Sequence, residues 1–316
     1  MKISFNSTNK KYGYPFRIIG NAGRYDTISD CAFLDASHII CVDRQMACLY
    51  LLEYNIENNT HKIKHMIECK FDDRPFHFEL ITIGNDPISS KTTLYGVCYN
   101  NKIFSCNIEN YKFVNCKVTK TLLNESYHGI QLLEDGVSVY ATNMTKPSIV
   151  KFNIKTSKSE SFVCNGGVRM KDVAIIDETH IIALSSDKGP VNGEQLENGT
   201  VHPQCKPYNS HVLIYNRLNF ALVCKHTLED TQIDSCVYDA PFCYVTCTDS
   251  NGNGFIMRGL VDNVTKQMVE IKHMPCKGFP HGIDIAHGCI AYTSYTESAL
   301  YICRLPQSNE FPNLLD

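Results

Sequence analysis

Six short apolar segments of this chain open on an aspartate or a histidine: Asp30-Cys-Ala-Phe-Leu, His77-Phe-Glu-Leu-Ile, His128-Gly-Ile-Gln-Leu, Asp172-Val-Ala-Ile-Ile, Asp234-Ser-Cys-Val-Tyr and His281-Gly-Ile-Asp-Ile. Imidazoles and carboxylates are the side chains that hold divalent cations and move protons near neutral pH. If the six openings converge, three imidazoles and three carboxylates share one site. Calcium and magnesium prefer all-oxygen donors, so a mixed set favours zinc, manganese or iron over calcium as the divalent metal. On that reading His77, His128 and His281 are the expected metal ligands. Asp30, Asp172 and Asp234 are the expected catalytic carboxylates, acting as a base or orienting a histidine. A metal held there polarises a carbonyl or activates water. The competing reading is structural, because Asp and His also suit the turn that opens a strand.

Convergence depends on the elements. Helical periodicity is almost absent; short runs of Val, Ile, Leu, Tyr, Phe and Cys alternate with Asn, Asp, Gly and Ser clusters, the pattern of an all-β chain. The openings at 30, 77, 128, 172, 234 and 281 are spaced by 47, 51, 44, 62 and 47 residues. A period near 50 fits a four-stranded propeller blade. The spacing predicts a six-bladed β-propeller occupying residues 1–316 as a single domain.

Blade three reads as strands His128–Leu133, Val137–Asn143 and Ser148–Asn153, with a fourth near Ser159–Val163. Blade six reads as His281–Ala286, Cys289–Ser294 and Ala299–Arg304, with no fourth strand after Leu305-Pro306. An N-terminal strand, expected at Pro15–Ile19, then completes the last blade and removes an open edge. The long interval belongs to blade four, where Lys188–Tyr208 is expected as an insertion shaping access to the site. Residues 307–316 are expected to be a loose tail.

In a propeller the innermost strand, A, and the end of its neighbour, B, share one channel mouth. Asp43, Asn143 and Asp249 are therefore rim candidates, as are Asn100, Asp187 and Ser294. Arg44, Tyr99, Tyr127 and Tyr295 lie close to them in sequence. Asp249-Ser-Asn-Gly-Asn-Gly254 superficially matches the start of an EF-hand loop, but Leu260 stands where the closing glutamate is needed, and a β-turn is expected.

The runs His128-Gly-Ile-Gln-Leu-Leu-Glu-Asp-Gly-Val-Ser-Val-Tyr-Ala-Thr-Asn and Pro280-His-Gly-Ile-Asp-Ile-Ala-His-Gly-Cys-Ile-Ala-Tyr-Thr-Ser resemble the repeat of the NHL and SMP-30/gluconolactonase/strictosidine-synthase-like propellers. In lactonases of that group, the polar residue opening strand A of several blades binds a divalent metal in the channel. The matching positions are Asp30, His77, His128, Asp172, Asp234 and His281. The chain departs from the lactonase pattern where Asp30 replaces the Glu-Gly/Ser-Pro signature, and where histidine replaces asparagine before two glycines. The resemblance implies a metal-dependent hydrolase or lyase acting on a small ester, lactone or similar molecule at the channel mouth. It also implies an alternative: a non-catalytic NHL-like module binding a protein or peptide, for which Tyr12, Tyr14, Tyr25 and Phe76 are candidate contacts.

The formal net charge of -3 argues against a nucleic-acid partner. No apolar run is long enough for a membrane span, and no apolar signal core follows Met1, so a cytoplasmic protein is expected. The 16 cysteines form no CxxC pair, and most sit in strand runs, where a reduced thiol behaves as a small hydrophobe. The sequence does not specify substrate, partner or oligomeric state.

Overall fold

A computed structural model describes residues 1–4, 28–44, 47–71, 74–75, 78–85, 91–98, 101–120, 123, 125–187, 209–295 and 297–305. Every regular element among them is a strand. Six four-stranded antiparallel sheets follow one another along the chain, with a two-stranded ribbon, Lys70–Phe71 and Arg74–Pro75, between the first and second. This is a six-bladed β-propeller. The A strands are Ile28–Asp35, Ile81–Asn85, Tyr127–Leu132, Arg169–Ile175, Thr231–Asp239 and Pro280–Ala286.

The outer strand of blade six is Lys2–Ser4, which pairs antiparallel with Ala299–Arg304. The ring thus closes through an N-terminal strand, but one that precedes the segment expected from sequence. Pro15–Ile19 lies outside the described residues, as do Tyr12, Tyr14, Tyr25, Phe76, the 188–208 insertion and the tail from residue 306. The insertion falls between His180–Ser186 and Ser210–Asn216, strands B and C of blade four.

Alternation along each strand sends apolar side chains to both faces of a blade, so the core divides into seams between neighbours. Between blades one and two, Ile40, Val42, Leu49 and Leu51 pack on Phe78, Leu94 and Phe104. Between blades six and one, Ala291, Leu300 and Ile302 meet Ile28, Cys31 and Leu52. Strands D are the most exposed: Thr60–Glu68 and Lys158–Val163 have no fully buried residue. The described cysteines are free, and 12 of these 15 are buried in the strands or at their ends; the exceptions are Cys116, Cys224 and Cys303.

Candidate metal centre

The axis is built by a device repeated in the A strands. Where Tyr127 pairs with Asn143 and Ile130 with Ala141, strand A of blade three carries one extra residue, a β-bulge at His128-Gly129. The same irregularity occurs at Lys171-Asp172, Asp234-Ser235 and His281-Gly282, and at Ser29 in blade one. A bulge leaves a backbone N–H outside the ladder. A threonine on strand B accepts it: Gly129 N donates to Thr142 Oγ1 at 2.7 Å, Ser235 N to Thr246 Oγ1 at 2.9 Å, and Gly282 N to Thr293 Oγ1 at 2.8 Å. Each hydroxyl then donates to a carbonyl of the next blade: Lys171 O at 2.8 Å, His281 O at 2.8 Å and Ser29 O at 3.0 Å.

Two successive positions of each blade's inner segment follow from this geometry. The first holds Ser29, Glu79, His128, Lys171, Asp234 and His281 around the ring. All six are buried, Glu79 completely. His128 Nδ1 lies 2.8 Å from Lys171 O, and His281 Nδ1 lies 2.7 Å from Ser29 O. A carbonyl only accepts, so each Nδ1 carries the proton and each Nε2 presents a lone pair. Those Nε2 atoms face the axis: both are 4.0 Å from Asp234 Oδ1, and His128 Nε2 is 4.0 Å from Glu79 Oε2. The two imidazole centroids are 5.1 Å apart, and Tyr295 stacks on His281 at 4.0 Å.

Glu79, His128 and His281 bring one donor atom each within 4.8 Å of one another and could hold a metal ion. Imidazoles whose other nitrogen is anchored on a backbone carbonyl have the tautomer and orientation typical of metal ligands. Zinc bonds of about 2.1 Å hold donors about 3.4 Å apart, so this set would have to close by about 1 Å around an ion. The acids already have cationic partners. Lys171 Nζ is 2.9 Å from Asp234 Oδ1, and Arg44 Nη2 is 3.0 Å from Glu79 Oε1.

Burial sets the protonation states. It pushes the His281 imidazole down to about 4. It also holds His128 well below the usual imidazole range, helped by the Lys171 ammonium and the neighbouring His281. Burial would raise Asp234, but Lys171 and then the two histidines outweigh it and hold this carboxyl well below its usual range. The neutral-pH centre is therefore two neutral imidazoles beside an ionised Asp234.

The second position holds Asp30, Leu80, Gly129, Asp172, Ser235 and Gly282. Here the structure separates residues that sequence grouped. Asp30 and Asp172 sit one residue beyond the axial ring and bridge blades instead. Asp30 Oδ2 accepts Ile81 N at 2.7 Å; Asp172 Oδ2 accepts Cys236 N at 2.9 Å and the Ser235 hydroxyl at 2.8 Å. Burial raises the Asp30 carboxyl well above its usual range and Asp172 to about 7. The glycines answer to these acids. A Cβ on Gly282 would lie 2.0 Å from Asp30 Oδ1 and 2.5 Å from Asp30 Cα; one on Gly129 would lie 2.4 Å and 2.5 Å from the matching atoms of Asp172. Beyond this layer the channel widens into a cavity of about 280 Å³, whose lining includes Asp30, Thr82, Gln131, Asp172, Ser235 and Asp284.

Of the remaining expected residues, His77, Tyr99 and Asn100 lie outside the described residues. The axial residue of blade two among those described is Glu79. Arg44 reaches the centre through Glu79. Asp43 is buried at the end of its strand. Asn143 Oδ1 accepts Thr145 N and the Thr145 hydroxyl, and Asp249 Oδ1 accepts Asn251 N and Asn253 N, so both shape B–C turns. Sequence reading missed Glu79 and Lys171. The signal was an apolar residue before the axial one: Phe78-Glu79 and Met170-Lys171 share the frame of Tyr127-His128, Ile233-Asp234 and Pro280-His281.

No family model and no curated protein sequence matches the chain. Solved structures do match as a fold. U3-55K is similar with a TM-score of 0.58 at 11% identity, over 90% of this chain and 97% of that one. Hydrazine synthase from Kuenenia stuttgartiensis gives 0.54 at 13%, over 89% and 77%. Virginiamycin B lyase from Staphylococcus aureus gives 0.52 at 10%, over 89% and 95%. A synthase, a lyase and the WD40 repeats of RRP9 are thus about equally near, and the likeness carries the architecture alone. No helix among the described residues is long and apolar enough to cross a membrane.

Proposed function

We propose that this propeller binds a divalent transition metal on its axis through Glu79, His128 and His281, and uses it to hydrolyse or cleave a small ester, lactone or similar molecule. One observation carries the reading: two buried histidines, three blades apart, both fix Nδ1–H on a backbone carbonyl and turn Nε2 toward the same acids. Two imidazoles with Nδ1 anchored on backbone carbonyls and Nε2 turned toward the same acids are the donor arrangement a cation site uses. A metal there supplies a Lewis acid and an acidified water. Asp234 offers a further carboxylate, and Arg44 and Lys171 supply positive charge beside a developing oxyanion. The neighbouring cavity, about 280 Å³, is near the lower end of small-molecule sites. The likeness of the repeats to the NHL and SMP-30 group, and the fold of virginiamycin B lyase, are consistent with such a role.

A second reading is a non-catalytic propeller that binds a protein or peptide, as the likeness to NHL modules suggests. It is favoured by the near-complete burial of the axial ring and by the Lys171 and Arg44 ion pairs, which balance the two acids without any metal.

Calorimetric titration with Zn²⁺ and Mn²⁺ separates the two. The metal reading expects one equivalent bound by the wild type, with affinity at least ten-fold weaker in Glu79→Gln and in the His128→Ala/His281→Ala double variant. Turnover of an ester and lactone panel should fall in parallel. A folded wild type that takes up neither ion overturns the metal reading and leaves the binding module.

A further inference from the structure

Two neighbouring cysteines, Cys106 and Cys116, lie on the outer strands of blade two. Strands C and D of that blade, Lys102–Glu109 and Lys112–Lys120, pair Ser105 with Lys117 and then Asn107 with Val114. Cys106 therefore faces Asn115 and Cys116 across a bulge, with Asn115 at φ 53°. The two thiols are in hydrogen-bond contact. Their environments differ sharply: Cys106 is 1% exposed in the seam between blades one and two, whereas Cys116 is exposed. Beside Cys116, between the rims of blades one and two, is a pocket of about 260 Å³ lined also by Glu68, Cys69, Lys70, Phe104 and Lys117.

We propose that Cys116 is a peroxide-reactive thiol and Cys106 its resolving partner, so that hydroperoxides convert the pair to a disulfide between strands C and D of blade two. Reactive thiols of this type are accessible, biased toward thiolate and placed against a second cysteine. All three conditions meet at Cys116. The hydrogen bond from Cys106 lowers the Cys116 pKa, and Cys116 is the exposed member of the pair. Lys70 and Lys117 line the pocket through which a hydroperoxide reaches it. Cys106 lies opposite Asn115 and Cys116 between the ladder pairs Ser105–Lys117 and Asn107–Val114, and a disulfide bridges Cα atoms about 4.4–6.8 Å apart.

The Cys116 thiolate attacks the terminal oxygen of the hydroperoxide, the O–O bond breaks, and the leaving alkoxide or hydroxide takes a proton from water. The Cys106 sulfur then attacks the sulfenic sulfur, forming the S–S bond and releasing water. In sum two thiols and one hydroperoxide give a disulfide, one alcohol or water, and a second water; sulfur loses two electrons and the peroxide gains them.

The full chain, treated briefly with hydrogen peroxide, alkylated and digested, provides the test. A Cys106–Cys116 disulfide should form at least ten-fold faster than oxidation of the half-buried Cys224 and Cys303. Cys106→Ser should yield a sulfenic acid trapped by dimedone at Cys116, and Cys116→Ser should leave Cys106 reduced. Oxidation of Cys224 or Cys303 at the rate of Cys116, or an unaltered product in Cys106→Ser, overturns the proposal. None of these readouts depends on a metal at the axis.

Discussion

Lys171→Met probes the axis most directly. The ammonium of Lys171 and the two imidazoles face the same oxygen, Asp234 Oδ1, at 2.9 Å and at 4.0 Å twice. Methionine keeps the length of the side chain and removes the charge. Asp234 is then a buried carboxylate holding one remaining hydrogen bond, from Gln232 Nε2 at 3.0 Å. Breaking a buried ion pair by removing one partner costs about 3–5 kcal/mol; the Gln232 bond argues for the lower end, about 3 kcal/mol. If a metal recruits Asp234, the wild type must first give up the Lys171 pair, and the variant need not. The stability lost without metal then returns on binding. About 3 kcal/mol corresponds to roughly a hundred-fold tighter metal affinity. Urea unfolding without metal and calorimetry with Zn²⁺ or Mn²⁺ measure the two sides. A variant that loses stability yet binds metal no tighter would refute the shared use of Asp234. A variant that keeps its stability would refute the importance of the ion pair.

Two further outcomes follow from the layer below. Gly282→Ala places a Cβ 2.5 Å from Asp30 Cα, a backbone contact that no rotamer relieves, so urea unfolding should show a loss of about 3 kcal/mol, the upper end for overpacking; wild-type stability would mean that the strands are not so close. The pH dependence carries opposite signs in the two layers. His281, depressed to about 4 from 6.5, contributes stability that is present above pH 6.5 and lost as pH falls to about 4. Asp172, raised to about 7 from 3.8, contributes stability that is present below pH 3.8 and lost as pH rises through 7. Asp172→Asn should accordingly flatten the decline in stability between pH 4 and 7, and an unchanged slope would show that Asp172 is not the group responsible.

Much of the fold was legible because the repeat reports backbone geometry. Apolar runs, turn residues and an interval near 50 placed strands such as Ser148–Asn153, Cys289–Ser294 and Ala299–Arg304 where the structure has them. The closing strand was misplaced because three residues, Lys2–Ser4, are too few to show a period. The site was legible only in part, and the reason is the bulge. Asp30 and His128 both open an apolar run of the sequence, yet in the strands Ile28–Asp35 and Tyr127–Leu132 they occupy successive positions, and in a strand a shift of one residue changes what a side chain faces. An alignment on Asp and His alone therefore merged the bridging acids with the axial ring and passed over Glu79 and Lys171. Neither of these residue types announces a metal site. Only the apolar residue before each fixes the frame.

Once that frame is set, the six blades fall into opposed pairs. Blades three and six present His128 and His281, blades two and five Glu79 and Asp234, and blades four and one Lys171 and Ser29. The His-Gly steps of blades three and six each meet an aspartate on the following blade, Asp172 and Asp30, so the two halves of the ring repeat the same contact. Like residues opposite one another at a narrow axis are a liability in a dry channel, because two carboxylates a few ångströms apart repel and lack water to screen them. The chain offsets this with Arg44 on one acid and Lys171 on the other, while two neutral imidazoles lie between. The histidine Nε2 atoms and the carboxylate oxygens are turned toward one another at the axis. A purely structural plug would fill this space with apolar groups at less cost. An arrangement that gathers donors around side-chain cations supports the proposal above, in which an ion would take the place of Lys171 beside Asp234.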